Sequence, residues 1–387
     1  MNIVESTHEY ERWLKTQLDG DIVRQDFAEK HDKMAEGVFP FLRATYWRWA
    51  ETIFEVCPDL KGAPHVLAVG DIHLENFGTW RDGEGRLVWG VNDFDEAAGM
   101  PYALDIVRLA TSAVLAKVPR ISAATICANV LAGYREGIVD PKVYVLDRKH
   151  AWLRNKVIVT DKQRKKFWEK FDPKKAAAKR AASGKGPLAK APPRYIKALE
   201  AARPDSDVTF SYMPRTAGAG SLGRPRFVGY GEWRGDTIVR EAKAMVRSAW
   251  ARAHHGSHKL HCEEIATGRH RCPDPWYALR GHILVRRLSP NNYKIEAQPK
   301  KKKKDAVRKT LKRSELVNAQ MLYAMGRDIA AIHRGTPKRR KDILADLDMR
   351  DKKWLDAAVT AAVAAIEAEW KEWCIHHNSI SKAKKKT

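Results

Sequence analysis

The sequence predicts an α+β fold, with a strand-rich unit over about residues 207–298 and helix-rich units on both sides of it. Two observations carry that prediction. In MAEGVFPFLRATYWRWAETIFEV (residues 34–56), and again in 102–118 and 314–333, apolar residues recur at three- and four-residue steps, which lines them along one face of a helix. Residues 208–238 instead hold many glycines and few helix formers, and read as strands. No internal repeat appears.

Taken in order, residues 1–56 read mostly as helix. His65-Val66-Leu67-Ala68-Val69 is a short buried strand, and the turn GDIHLENFG follows it. Two further strands, one around Thr79 and Trp80 and the other LVWGV, flank Asp82, Gly83 and Gly85 and make a hairpin. In residues 102–118, Ile106, Leu109, Ala110, Ala113 and Val114 share a helical face, and a second helix runs near 123–134. Residues 141–206 are basic and alanine-rich with a Gly/Pro break at 184–193, and read as a charged helical segment followed by a mobile linker. Residues 238–245 begin as a strand before the chain turns helical toward His255, and a strand pair falls at 276–288. After a lysine run comes the helix at 314–333, with Leu316, Met321, Ala324, Ile329 and Ile332 as core positions, and 351–373 is helical again. These changes divide the chain into 1–140, 141–206, 207–298 and 299–387.

The chain has 387 residues, 44% hydrophobic and 30% charged, enough apolar material to bury a core. No apolar run approaches the roughly 18 to 20 residues of a membrane span, which predicts no membrane insertion. The first residues, MNIVESTHEYERW, lack the apolar centre of a secretory signal. Five scattered cysteines, an odd number, argue against a disulfide framework and for a reduced, cytoplasmic setting. Lysine and arginine total 71 against 47 acids, a net charge of +24. Part of that excess is clumped, at Lys300 to Lys304, at Lys338-Arg339-Arg340-Lys341 and in the terminal SKAKKKT. Such blocks are commonly solvated tails, and they also attract nucleic acid or other polyanions. No zinc-finger spacing, helix-turn-helix signature or aromatic RNA-binding motif accompanies them. His254, His255, His258, His261, Cys262, His270 and Cys272 crowd together, but their spacing fits no standard zinc site.

Three constellations carry chemistry. In Gly70-Asp71-Ile72-His73-Leu74-Glu75-Asn76, an acid follows a buried strand and an amide comes five residues later. One tight loop thereby holds a carboxylate suited to act as general base and an amide oxygen suited to a divalent metal; a turn whose Asp and Asn bond their own backbone is the plainer reading. In Asn92-Asp93-Phe94-Asp95-Glu96, three carboxylates within four positions repel one another unless a cation balances them, and Mg²⁺ prefers such hard oxygens. Neutralisation by this basic protein itself would serve equally. The third is Gly218-Ala219-Gly220-Ser221-Leu222-Gly223, which continues as a strand. It is neither a Walker loop nor a dinucleotide fingerprint, but a glycine-rich loop between strands is how protein kinases cover ATP phosphates. Lys243 lies twenty residues beyond Gly223, in a strand whose alternation lets its amine reach phosphates.

Together the three constellations resemble the protein-kinase-like phosphotransferases, above all the aminoglycoside and choline kinase branch. The resemblance implies Asp71 as catalytic base, Asn76 and Asp93 as metal ligands with Asp95 assisting, and Asp105 bracing the catalytic loop from the next helix. It implies Gly218, Gly220, Ser221, Gly223 and Lys243 as the ATP-phosphate site, with Glu263 or Glu264 as partner of Lys243 by spacing. Val69-Gly70-Asp71 stands where that branch has His-Gly-Asp. The order is also inverted: the catalytic and metal loops precede the glycine loop and lysine, and the helix that ordinarily comes before the catalytic loop resembles residues 316–336. A circularly permuted, two-lobed kinase-like fold accounts for this order. The chain also resembles a bacterial family catalogued as domain of unknown function 2252, through KMAEGVFPFLRAT, GDIHLENFG, NDFDEA, DIVRLATS, AGAGSLG and REAK, with Arg43-Ala44 in place of a common Arg-Gly.

The expected activity is therefore Mg²⁺- and ATP-dependent transfer of a γ-phosphate to a hydroxyl of a small molecule or protein. Two alternatives stand beside it. ATP bound the other way round would transfer AMP, and a degenerate kinase-like fold would serve as a non-enzymatic nucleic-acid-binding protein.

Overall fold

The computed structural model describes residues 1–18, 20–172, 175, 178, 190–216, 218, 220–296 and 317–383, the last three by their backbone alone. The lysine run at 300–304, most of the 184–193 break and the first residues of the expected 314–333 helix lie outside the described residues. Within them the fold is α+β, with small antiparallel sheets among many helices.

Four helices open the chain: α1 (Ile3–Leu18), α2 (Gln25–Ala35), α3 (Val38–Ala44) and α4 (Tyr46–Val56). The break between α3 and α4 falls at Thr45, whose hydroxyl turns back to the Phe41 carbonyl. Strand β1 (His65–Ala68) follows, then a hairpin of β2 (Phe77–Arg81) and β3 (Leu87–Val91). The Asp82 carboxylate closes that hairpin by accepting from the backbone N–H groups of Glu84 and Arg86. Strand β4 (Ala98–Pro101) pairs with β1, and β5 (Tyr144–Val145) joins the hairpin.

Helix α5 (Ala103–Leu115) is buried on almost every face, as its apolar composition requires. Helix α6 (Ala123–Val139) starts at Ser122, whose side chain accepts from the Thr125 N–H. The 141–206 segment supplies two short helices, α7 (Ala151–Arg154) and α8 (Asp161–Trp168), and then α9 (Pro193–Glu200).

A five-stranded antiparallel sheet is ordered β6 (Ser211–Pro214), β7 (Arg226–Trp233), β8 (Asp236–Ala244), β10 (Ile283–Leu288), β9 (Ala278–Arg280). The β7–β8 turn uses Arg234 and Gly235, both at positive φ, as a two-residue hairpin demands. Alternation sorts the faces. Phe227 packs with its ring tilted against Tyr195 of α9, while Val228 and Val239 on the opposite face meet Phe171 just after α8. The helices α10 (Ala249–Ala253) and α11 (Cys262–Ala266) lie between β8 and β9.

The chain ends in α12 (Ala319–His333), α13 (Arg340–Met349) and α14 (Trp354–Ala383), the last reaching ten residues past the expected end at Trp373. No helix among the described residues is long and apolar enough to cross a membrane.

Helices α6 and α12 meet backbone to backbone. A Cβ on Gly133 would collide with the Tyr323 carbonyl, and one on Gly326 with that of Val130. Gly326→Ala would gain roughly 1 kcal/mol of helix propensity but must force the two helices apart. The net expectation is destabilisation by about 2 kcal/mol, read as a lower midpoint in urea; an unchanged midpoint would mean that the crossing is looser than it stands here.

Candidate functional site

Strand β1 delivers the 70–76 loop. Gly70 has φ +80, and a Cβ there would press on the Glu96 carbonyl and the Tyr46 hydroxyl, so the turn needs glycine. Asp105 of α5 accepts from the N–H groups of Val69 at 2.7 Å and Gly70 at 2.9 Å. His333 of α12 faces the same carboxylate at 3.0 Å, and its other ring nitrogen meets the Tyr134 hydroxyl at 2.8 Å. Asp105 is fully buried and does not line the cleft. It acts on the site only through the loop that it holds.

Asp71 sits at the rim of that loop, its Oδ1 2.6 Å from the buried Arg108 guanidinium, which also donates to the Leu42 carbonyl. Burial pushes the Asp71 carboxyl up, against the pull of Arg108. Asn76 points its Oδ1 back to the His73 N–H at 2.8 Å, and His73 Nδ1 accepts from the Glu75 N–H. Burial and nearby arginines hold the His73 ring neutral, well below the usual range. The Asn76 oxygen thus serves the turn, with one lone pair still free for a ligand.

Strand β3 delivers residues 92–96. Its last residue, Val91, is clamped by α12: Asp328 accepts the Val91 N–H at 2.8 Å and pairs with Arg271, which donates to the Val91 carbonyl. Beyond the clamp, Asp93 and Asp95 converge on the amine of Lys243 from β8, Asp95 in direct contact and Asp93 at 3.6 Å. Burial and the Asp93 charge raise Asp95, whereas at Asp93 burial is overcome only by Lys243, the Asp95 hydrogen bond, Arg286 and Lys294 together, which hold it well below the usual carboxylate range. Such a pair titrates as one unit. Glu96 pairs with Arg224 at 2.6 Å and caps the Ala249 N–H at 2.7 Å. Because Arg224 directly follows Gly223, this pair ties the acidic loop to the glycine loop.

The glycine loop reaches over the same space. An ideal Cβ on Gly220 would lie 3.0 Å from the Arg43 carbonyl, a tight fit, and 3.4 Å from Asp71 Oδ2, so the loop packs against the end of α3 and the 70–76 turn. Gly218 and Gly223 hold positive φ, and Gly223 abuts Phe27 of α2. Ser221 accepts from Arg226 at 2.5 Å.

Between these loops is a cleft of about 300 Å³. Asp71, Asn76, Asp93, Asp95, Gly218, Gly220 and Ser221 line it, and Lys243 reaches its acids from beneath. The partner of Lys243 expected at Glu263 or Glu264 is instead the Asp95–Asp93 pair. Glu264, on the short α11, is taken by Lys259 and His261, and both glutamates border a separate shallow surface. The spacing argument fails because α11 is only five residues long and turns those carboxylates outward.

The arginines were the residues that sequence reasoning missed. Among the described residues, eight lysines and arginines line the cleft against four acids. Most sit among 71 basic residues with no motif to mark them, so only the fold reveals their convergence. Among the described residues no three His, Cys, Asp or Glu side chains form a ready-made metal cage, and the histidines near residue 258 turn instead to Ala50, Arg247 and Glu264. Two carboxylates do fit Mg²⁺, which keeps waters and takes substrate phosphates as remaining ligands. Asp93 Oδ1 is buried with no hydrogen-bond partner, an oxygen of the kind that such an ion would use.

Behind the cleft, Lys30 is fully buried, its amine 4.2 Å over Trp47 and 5.0 Å over Tyr10 and without a hydrogen-bond partner. Burial, then Arg224, lowers its pKa to about 7. Folding therefore disfavours the protonated amine, so its cost is full below pH 7 and fades as pH rises toward the unfolded value of 10.5. Lys30→Met is expected to stabilise the protein by a few kcal/mol at pH 6, with the gain shrinking between pH 7 and 10. Urea titrations across that range that show a pH-independent difference would contradict the assignment.

The model of a bacterial family described as uncharacterized protein conserved in bacteria (DUF2252) matches residues 23–185. That span holds both acidic loops and α5, and ends before the five-stranded sheet. No curated protein matches the chain, and no solved structure matches it.

Proposed function

We propose that the protein is a Mg²⁺- and ATP-dependent phosphotransferase with a circularly permuted, kinase-like arrangement. The observation that carries this reading is the meeting of Lys243 with Asp93 and Asp95 beneath a glycine loop that closes on Asp71. The order along the sheet supports it: the glycine loop joins the first two strands and the lysine is on the third, as in protein kinases. Permutation is supported by the end of α12, where the Thr336 hydroxyl accepts from the Leu67 N–H of β1. The helix that would precede the catalytic loop in the ordinary order thus finishes beside it.

In this reading Arg108 fixes the orientation of Asp71, and the raised carboxyl pKa suits it to take the proton of an acceptor hydroxyl as that oxygen attacks phosphorus. Lys243 and the glycine-loop N–H groups position the nucleotide, whose bridging P–O bond breaks to release ADP. Asp93 and Asp95, with Asn76 beside them, would hold Mg²⁺, which supplies charge neutralisation for the phosphates. Placement and electrostatics do most of the work in such chemistry.

The test is formation of ADP from ATP by the full chain, dependent on Mg²⁺ and abolished by chelation. Its absence, with no binding of the nucleotide, would dispose of the proposal.

A further inference from the structure

One feature of the cleft exceeds what the transferred phosphate needs. Arg215, Arg226 and Arg286 all contact a single carboxylate, Glu241, which is fully buried. The register explains the convergence: Arg286 on β10 is directly opposite Glu241 on β8, and Arg226 on β7 is directly opposite Lys243. All three guanidinium groups line the cleft. Arg226 is 6% exposed, and its Nε has no partner.

One carboxylate balances one guanidinium. Two further acids are near: Asp95, 4.0 Å from Arg226, and Asp93, and both already engage Lys243. Burial, together with Arg286 and Arg226, depresses Arg215 even with Glu241 beside it. Gathering three like charges around one counter-charge is costly, most of all for the buried Arg226, and a scaffold for Glu241 would need only one of them. With Lys243 included, four cations face the three carboxylates of Glu241, Asp93 and Asp95; the unbalanced positive charge calls for an anionic ligand, and planar guanidinium forks are suited to phosphate oxygens.

We infer that Arg215, Arg226 and Arg286 form a second phosphate subsite in the roof of the cleft, for a phosphate group that is not transferred. The inference rests on the proposed phosphotransfer only for its role, not for its binding chemistry. Two sources share that chemistry. The phosphate belongs either to the part of the nucleotide tail that is not transferred or to a phosphorylated acceptor.

Inorganic pyrophosphate, without nucleotide or divalent metal, is the probe. In about 0.15 M salt, where surface attraction is screened, it is expected to bind the full chain saturably and to raise its melting temperature. Arg286→Gln and Arg215→Gln should each weaken that binding about tenfold or more, whereas Lys352→Gln, an exposed charge far along the chain, should match the native protein. No saturable binding, a melting shift that equal sulfate reproduces, or arginine variants that bind like Lys352→Gln would each overturn the subsite. The native chain alone decides the matter if the arginine variants fail to fold. Competition then assigns the source: mutual exclusion of pyrophosphate and Mg·ATP places the nucleotide tail there, and simultaneous binding places a phosphorylated acceptor there. Pyrophosphate binding without ATP turnover would sink the enzyme reading and leave the subsite standing; turnover without pyrophosphate binding would do the reverse.

Discussion

Asp93→Ala is expected to reduce Mg·ATP turnover by about a thousandfold or more, some 4 kcal/mol of transition-state stabilisation, while leaving the fold intact. The two halves of that expectation have separate causes. Asp93 Oδ1 has no hydrogen-bond partner, and the variant exchanges the contact between the Asp93 and Asp95 carboxyls for relief of their repulsion. Lys243 keeps its contact with Asp95, and the Asp328–Arg271 clamp on Val91 is untouched. Stability in urea should therefore change by no more than about 1 kcal/mol. The loss falls instead on the acidic pair that would hold Mg²⁺, because Asp95 alone is matched charge for charge by Lys243. Turnover within tenfold of the native protein, in a variant that melts normally, would remove Asp93 from the machinery and the phosphotransfer reading with it.

What could be read from the sequence follows from how locally each feature is encoded. The β1–turn–hairpin run is legible because a short apolar strand, a GD turn and an Asp-Gly-x-Gly hairpin loop each carry their own signal within ten residues. So is the glycine loop, whose positive-φ positions at Gly218 and Gly223 require glycine. Strands β4 and β5 escaped because four and two residues are too few to show alternation. The partner of Lys243 escaped for a different reason. Asp95 is 148 positions earlier, and no spacing rule links residues that distant. The arginine cluster is more extreme, since Arg226, Glu241 and Arg286 are neighbours only through strand register. Residue types announce chemistry where one loop holds it, and stay silent where the sheet assembles it.

The largest stability effect is expected from Asp105→Ala, a residue that touches no substrate. Its carboxylate satisfies three buried donors, the N–H groups of Val69 and Gly70 and the His333 ring. Alanine leaves all three without their acceptor, in a site where Asp105 and His333 are both fully buried. Breaking such a cluster costs about 3 to 5 kcal/mol, and a comparable fall is expected in urea denaturation. Asp105→Asn should lie between, because its amide oxygen can accept one N–H while its NH₂ group opposes another. The same variants separate holding the loop from doing chemistry. Asp71 is oriented by Arg108 as well as by the Gly70 turn, so Asp105→Asn should lose turnover in proportion to how far the turn relaxes and keep the pH profile of the native protein. A shifted pH profile would instead make Asp105 a proton donor or acceptor, and stability within about 1 kcal/mol of native in Asp105→Ala would show that the loop stands without it.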